Sequence, residues 1–274
     1  MTLSKKNFFS LRSKNIIVTG ANGFLGKNIS NFISLLGGNP IMLDINTAGS
    51  KSLTNNLKKI HKNNPQFYNC DITNINKLKT ISKKIFKDYK KVHGLVNNAA
   101  LNPKLNNIKG ENNFLENYDL NRLKKEVDVG IYGALNCIKV FGKHFSENNK
   151  GSIINVSSDL GIIAPNQEIY NDNKNNIKNV KPVSYSIVKS GIIGLTKYTS
   201  TYWAKNNVRS NAIAPGGVYE NQDKNFVKKI SKLIPLGRMA EPSELMGTIG
   251  FLLSDESAYI TGQVISIDGG RTVW

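Results

Sequence analysis

Four short runs of strand character come before residue 100, and the first three are each followed by a segment of helical period. Asn15 to Thr19 leads through a glycine-rich turn into a helix carrying Ile29, Phe32, Ile33, Leu35 and Leu36, which stops at Gly37-Gly38. Pro40 to Asp44 precedes a helix over Lys51 to His61. Gln66 to Cys70 precedes one over Asn74 to Tyr89, with Leu78, Ile81 and Ile85 on a single face. Val92 to Val96 runs into Asn97-Asn98-Ala99-Ala100. Alternation of this kind predicts α/β architecture: a Rossmann-like, doubly wound parallel sheet with helices on both faces.

The second half keeps the pattern. A long helix is expected over Leu120 to Ser146, a strand over Gly151 to Val156, and a helix that carries Tyr185 and Lys189 on to Ala204. A strand follows over Val208 to Ile213, then a helix over Pro242 to Leu253 and a last strand over Gln263 to Ile267. Neither a linker nor a repeat interrupts the chain. A single domain is therefore expected over 1–274, with 1–13 as an N-terminal extension.

Composition narrows the function classes. The 274 residues suffice for one large α/β domain with a full core. No apolar run reaches the roughly 18 residues of a membrane span, and Met1 to Lys14 lacks the apolar stretch of a secretory signal. A cytoplasmic protein that engages no membrane is expected. Cys70 and Cys137 read as packed thiols in a reducing compartment. His61, His93 and His144 share no ligand pattern, so no metal is expected. The net charge is +18. Its lysines are dispersed in a chain rich in Lys, Asn and Ile throughout, with no arginine-rich patch among aromatics. Nucleic acid is thus not an expected partner, whereas an anionic small-molecule substrate would be attracted.

Two stretches are long for loops of a compact domain, 102–119 and 163–182. Both follow carboxyl ends of strands, the edge where such sheets bind ligands, and both are read as substrate loops. Lys104, Lys109, Lys174, Lys178 and Lys181 lie in them and could meet an anion.

The turn Gly20-Ala21-Asn22-Gly23-Phe24-Leu25-Gly26 follows a strand and opens an apolar-faced helix. Glycine there lets the backbone bend tightly and approach a pyrophosphate at the helix N-terminus. Gly20, Asn22, Gly23, Phe24, Leu25 and Gly26 are the expected dinucleotide contacts. Asp44 ends the second strand, 24 positions after Gly20. A carboxylate there can accept from both ribose hydroxyls and repels a 2′-phosphate, which favours NAD over NADP. Asp71-Ile72, after the third strand, could hold the adenine edge. Far downstream, Tyr185 and Lys189 share one helical face at i and i+4. A nearby ammonium favours the phenolate, and a phenol so tuned can pass a proton to or from a carbinol oxygen.

These elements, in this order, resemble the short-chain dehydrogenase/reductase family over about Ser13 to Asp268. The matching set is the Thr19-Gly20 turn, Asp71, Asn97-Asn98-Ala99, Ser158, Tyr185 with Lys189, Pro215-Gly216 and Asp268-Gly269-Gly270. The resemblance implies that Ser158 polarises the substrate oxygen, Tyr185 is the general acid/base, and Lys189 binds the nicotinamide ribose and lowers the Tyr185 pKa. It also implies that Pro215, Gly216 and Val218 line the nicotinamide and that Asn98, Ala99 and Ala100 line the adenosine ribose.

Three departures stand out. The family turn TGxxxGxG would put glycine at 24 and 26, but here Phe24 stands between Gly23 and Gly26. The family's relay asparagine in the central helix falls at Gly130. Ser158 and Tyr185 are 27 apart, more than is usual, and 163–182 absorbs the difference.

The stretches Ser158 to Pro165, Pro215 to Tyr219 and Gly269 to Trp274, together with Gly130, resemble bacterial oxidoreductases of flagellin modification and surface-sugar biosynthesis. That implies a sugar substrate, bare or phosphate- or nucleotide-linked. A reductase of carrier-bound 3-oxoacyl groups and a non-catalytic nucleotide-binding protein remain alternatives. In the family the helices with Ile131, Leu135 and Ile138 and with Ile192, Ile193 and Leu195 pair between subunits, which implies a homodimer or homotetramer.

Overall fold

The computed structural model describes residues 8–101, 113–171 and 179–274. Seven strands form one sheet: β1 (Asn15–Thr19), β2 (Asn39–Asp44), β3 (Gln66–Asn69), β4 (Gly94–Asn97), β5 (Gly151–Val156), β6 (Val208–Pro215) and β7 (Val264–Ile267). Their order is β3-β2-β1-β4-β5-β6-β7, and every pair is parallel. The chain winds outward from β1 to β3, then crosses back so that β4 lies against β1. The crevice between the carboxyl ends of β1 and β4 is therefore the switch point, where open α/β sheets take ligands. The glycine turn and Asn97-Asn98 lie on either side of it.

One face is covered by α1 (Phe24–Leu35) and a C-terminal helix (Met246–Leu253), and its core holds Ile16, Val18, Ile29, Ile33, Val96, Ile154 and Ile249. The other face packs Ile17, Leu95 and Ile153 against α3 (Ile75–Tyr89) and the long helix over 120–147, whose Cys137, Phe141 and Phe145 are fully buried. Helix α2 (Ser50–His61) lies between β2 and β3 in sequence. The interiors of β1, β2, β4 and β5 are buried on both faces, which is why they read as continuous apolar runs rather than alternating ones, whereas β3 at the sheet edge is only half-buried.

The long helix, numbered α4 here, is not uniform. Leu120–Val127, Ala134–Cys137 and Lys143–Glu147 are α-helical, while Asp128–Gly133 and Ile138–Gly142 are wider π turns. Glycines 130, 133 and 142 fall in those turns, where a Cβ would strike Val188, Ile72 and Trp203 at 2.4, 2.7 and 2.3 Å. The segment thus follows the surface it covers, and π turns of this kind recur at functional sites.

Three expectations change. Helix α6 (Lys224–Ser231), capped by the Asp223 side chain, follows α5 (Val183–Tyr202) and precedes α7 (Met246–Leu253), and it was not foreseen. Its Ile230 joins Ile169, Ile234 and Met239 in a third, small core, so the described part of 163–182 is packed rather than free. Part of the N-terminal extension belongs to the domain: Leu11 is fully buried and its N–H donates to the Leu36 carbonyl. Of the residues expected at subunit contacts, Ile138 and Ile192 are core of this chain, and Ile131 packs beside Gly191 within it. Both cysteines are buried free thiols, and burial pushes Cys70 up to about 11. No helix among the described residues is long and apolar enough to cross a membrane.

Candidate active site

The glycine turn is shaped by steric need at two positions. Gly20 has φ +61°, and a Cβ there would come within 2.8 Å of the Ala99 backbone. A Cβ on Gly26 would stand 2.1 Å from the Gly20 carbonyl. Gly23 is different: it is exposed and is the N-cap of α1, with no side-chain cap on the helix. The first N–H groups of α1 therefore have no capping side chain. Phe24 and Leu25 are half-buried, and Leu25 packs on the core. Phe24 in place of glycine thus leaves the close approaches of Gly20 and Gly26 intact. A bare helix N-terminus at the switch point, with no Cβ at Gly23, is a cradle that fits the pyrophosphate of a dinucleotide.

The residues around the turn hold it in place. Asp44 Oδ2 accepts the Asn22 N–H and Oδ1 accepts the Asn46 N–H, both at 2.9 Å. Each carboxylate oxygen keeps a further acceptor site. The Asn22 amide donates to the carbonyls of Asn46 and Ala48. From across the switch point, Asn98 Nδ2 donates to the carbonyls of Thr19 and Gly20 at 3.1 Å, and the N–H groups of Asn98 and Ala99 both donate to Thr19 Oγ1. Asn98 therefore acts first as a clamp on the turn. Asp71 Oδ1 closes its own loop by accepting from Thr73, and Asn136 fixes Ile72 by donating to its carbonyl. Pro215 ends β6 and Gly216 and Val218 follow it; a Cβ on Gly216 would meet Asp268 at 2.9 Å.

The catalytic candidates come together at the carboxyl end of β5. Ser157 and Ser158 leave the strand, and Ser157 Oγ donates to the Lys189 carbonyl at 2.7 Å. Gly161 lets that loop touch α5, since a Cβ there would be 2.8 Å from the Lys189 backbone. Tyr185 and Lys189 are presented one turn apart on α5, with the Lys189 ammonium 5.7 Å from the Tyr185 ring centroid. Lys189 is buried and donates to the Val156 carbonyl at 2.9 Å.

Burial pushes the Tyr185 phenol above its ordinary value; a hydrogen bond with Ser158 pulls it down and the Asp159 charge pushes it up. Lys189 is not among the groups that move it, so the expected lowering by Lys189 is not seen. Burial, then the charge of Lys181, brings Lys189 itself down to about 8.

Several groups were not picked out from the sequence. Asp159 Oδ1 accepts the Ser158 hydroxyl at 2.7 Å, and its Oδ2 pairs with Arg271 Nη1 at 2.8 Å, with both side chains about 5% exposed or less. The C-terminal turn that carries Arg271 is held by Asp268, whose carboxylate accepts the N–H groups of Gly270 and Thr272. Ser158 is thereby tied to the last residues of the chain. Below α5, Glu126 accepts from Tyr118, Arg122 and Ser184, a buried network that anchors the start of α5 to α4. A carboxylate at 159 and an arginine at 271 give no sequence signal of pairing, because 112 residues separate them.

Gly130 lies where the sequence placed the relay position. The Val188 methyl occupies the space a side chain at 130 would need. Beside it is a cavity of about 10 Å³ lined by Thr19, Asn97, Gly130, Val188 and Lys189 among others, room for one water. A larger, open cavity of about 430 Å³ between Tyr219, Val227, Arg238, Met239 and Glu244 touches none of the catalytic candidates. Lys104, Lys109, Lys174 and Lys178 lie outside the described residues, as do most of 102–119 and the middle of 163–182. No cluster of three or more metal-ligating side chains occurs among the described residues.

Comparison with known proteins matches this geometry. The short chain dehydrogenase family matches residues 14–230. A 3-oxoacyl-[acyl-carrier-protein] reductase of Thermotoga maritima is 30% identical over 96% of this chain and 99% of its own. The post-translational flagellin modification protein A of Campylobacter coli is 30% identical over 95% and 98%. A short chain dehydrogenase of Leptospira borgpetersenii, solved with bound NAD+, superposes with a TM-score of 0.82 at 29% identity, covering 100% of this chain and 98% of that one. The chain therefore belongs to the short-chain dehydrogenase family of CH–OH oxidoreductases.

Proposed function

We propose that the protein is an NAD(H)-dependent oxidoreductase that interconverts a secondary alcohol and a ketone on a sugar or sugar phosphate, in the assembly of a surface or flagellin glycan. The observation that carries the redox chemistry is the meeting of Ser158, Tyr185 and Lys189, with Lys189 lining one cavity with Thr19, Asn97 and Ala99 of the switch point. The bound nicotinamide supplies or accepts the hydride. Ser158 holds the substrate oxygen, Tyr185 passes a proton at its Oη, and Lys189 orients the nicotinamide ribose. Asp44 favours NAD over NADP because its carboxylate, held by two N–H groups at the end of β2, would repel a 2′-phosphate. The likeness to the flagellin modification protein supports the sugar reading. A similar likeness to a 3-oxoacyl reductase supports acyl-carrier substrates as a second reading.

A phenol pushed up by burial is protonated at neutral pH, the form that donates to a ketone oxygen. The protein works in the cytoplasm as a homodimer or homotetramer, with the exposed Tyr132, Tyr198 and Tyr202 on the outer faces of α4 and α5 at the subunit contacts.

The test is a screen of keto-sugars, their phosphates and a 3-oxoacyl thioester with NADH. Turnover of a sugar ketone that vanishes in Tyr185→Phe upholds the reading. Turnover of the thioester alone would replace it with the second one.

A further inference from the structure

One cation in the site has no counterpart in the chemistry described so far. The Lys181 ammonium lies over the face of the Tyr185 ring, 3.8 Å from its centroid. Its backbone is fixed, because the Lys181 N–H donates to Gln167 Oε1 at 2.8 Å, and Asn171 bonds both the N–H and the carbonyl of Asn179 nearby. Burial brings Lys181 down to about 8, against the pull of Asp159 and Glu126. Among the described residues neither a carboxylate nor a hydrogen-bond acceptor pairs with its ammonium, yet that nitrogen is not among the sealed, unpartnered atoms. Its backbone is held in place and the residue is half-buried.

The charges around it do not balance. Asp159 is consumed by Arg271 and Ser158. Among the described residues Lys189 pairs with no carboxylate and its ammonium donates to the Val156 carbonyl. Glu126 is engaged by Arg122. Two uncompensated ammonium groups therefore flank a neutral phenol in a part-buried site, which is costly unless an anion joins them.

We propose that Lys181 is the anion-recognition residue of the substrate site, and that the substrate is a secondary alcohol or ketone bearing a phosphate or carboxylate a few bonds from the reacting carbon. This rests on the reading of Tyr185 as the residue that meets the carbinol oxygen. With that oxygen at the phenol end of the ring, an anionic group beside the ring reaches the far side of the Lys181 ammonium without displacing it from the ring face. The ring then serves as a wall on which the cation and the substrate are both oriented. A cation placed to meet a fixed anion selects for it by a charge-assisted hydrogen bond.

The test uses two matched pairs, dihydroxyacetone phosphate with dihydroxyacetone and acetoacetate with acetoacetamide. Calorimetric titrations are run on the whole protein alone and with saturating NADH. The anionic member of at least one pair should bind at least about tenfold more tightly, the scale of one charge-assisted bond. The pair with the larger preference names the group. Lys181→Met should erase the preference while leaving the neutral member and NADH unchanged, and Lys181→Arg should retain it. Equal affinities in both pairs, no binding of any member, or an unchanged preference in Lys181→Met would overturn the proposal. Failure of NADH to bind would remove the proposed function instead, and the titrations on the protein alone would still decide the role of Lys181.

Discussion

At the scale of single residues, the site depends on a few side chains whose roles separate cleanly. Replacing Tyr185 with Phe removes only the proton-carrying hydroxyl. Turnover should fall by about 10²–10⁴-fold, the worth of a positioned acid, with NADH affinity unchanged by fluorescence titration. Arg271 is a different case, because it reaches the chemistry through Asp159 and Ser158. Arg271→Met leaves a buried carboxylate without its cation, which costs about 3–5 kcal/mol. Thermal melts should show that loss, and turnover should fall with it as the Ser158 hydroxyl loses a fixed acceptor. The sequence displayed Ser158, Tyr185 and Lys189 by their order alone. It hid the Asp159–Arg271 pair, because a contact between a strand end and the C-terminus has no period or spacing to betray it. It also misled on the phenol: the i, i+4 spacing puts Lys189 beside Tyr185, but burial raises the pKa, and the lowering comes from the Ser158 hydrogen bond. The rate of ketone reduction with NADH should therefore stay flat between about pH 6 and 7, below the range where Lys189 loses its proton, while alcohol oxidation rises with pH as the phenol is deprotonated.

At the scale of elements, the strands and the helices that flank them were legible because each is long enough to show a period. Helix α6 was not. It is short and mostly polar, and the residue it buries, Ile230, pairs with Ile169, Ile234 and Met239 from other segments. The Gly130 position shows what a helix pair can conceal. Missing asparagine looked like a lost relay, yet the structure shows a packing exchange: Val188 on α5 fills the space that Gly130 on α4 leaves. Gly130→Asn alone should overpack that contact and destabilise the protein by about 1–3 kcal/mol. Added to Val188→Ala, the same change should cost less than the sum of the two, a coupling that a double-mutant cycle of denaturant melts reads directly. Additive losses would show that the two positions do not share space.

At the scale of the whole molecule, stability should fall in mild acid for an identifiable reason. Burial, followed by the charges of Lys91, Lys14 and Lys150, lowers His93 to about 4, and His144 is lowered by burial as well. Both are neutral acceptors: His93 Nδ1 takes the Asn15 N–H of β1, and His144 Nε2 takes the Val92 N–H. For a base whose folded pKa lies below its unfolded value near 6.5, the unfolded chain binds more protons on acidification. Stability is thus full above pH 6.5 and declines as pH falls toward 4. Melts at pH 7 and pH 5 should show a drop in Tm that shrinks in His93→Asn combined with His144→Gln, which keep the acceptors and remove the charge. The architecture as a whole was readable from βα alternation. The substrate was not, because the two long loops expected to cover it carry no period.

The central claim is that the crevice between β1 and β4 binds NAD(H) and rejects NADP(H). Titration of the protein with NADH and NADPH, followed by nicotinamide fluorescence, tests it most directly. The account predicts tight NADH binding, much weaker NADPH binding, and a gain of NADPH affinity in Asp44→Ala. Preference for NADPH in the unaltered protein, or binding of neither nucleotide, would contradict it.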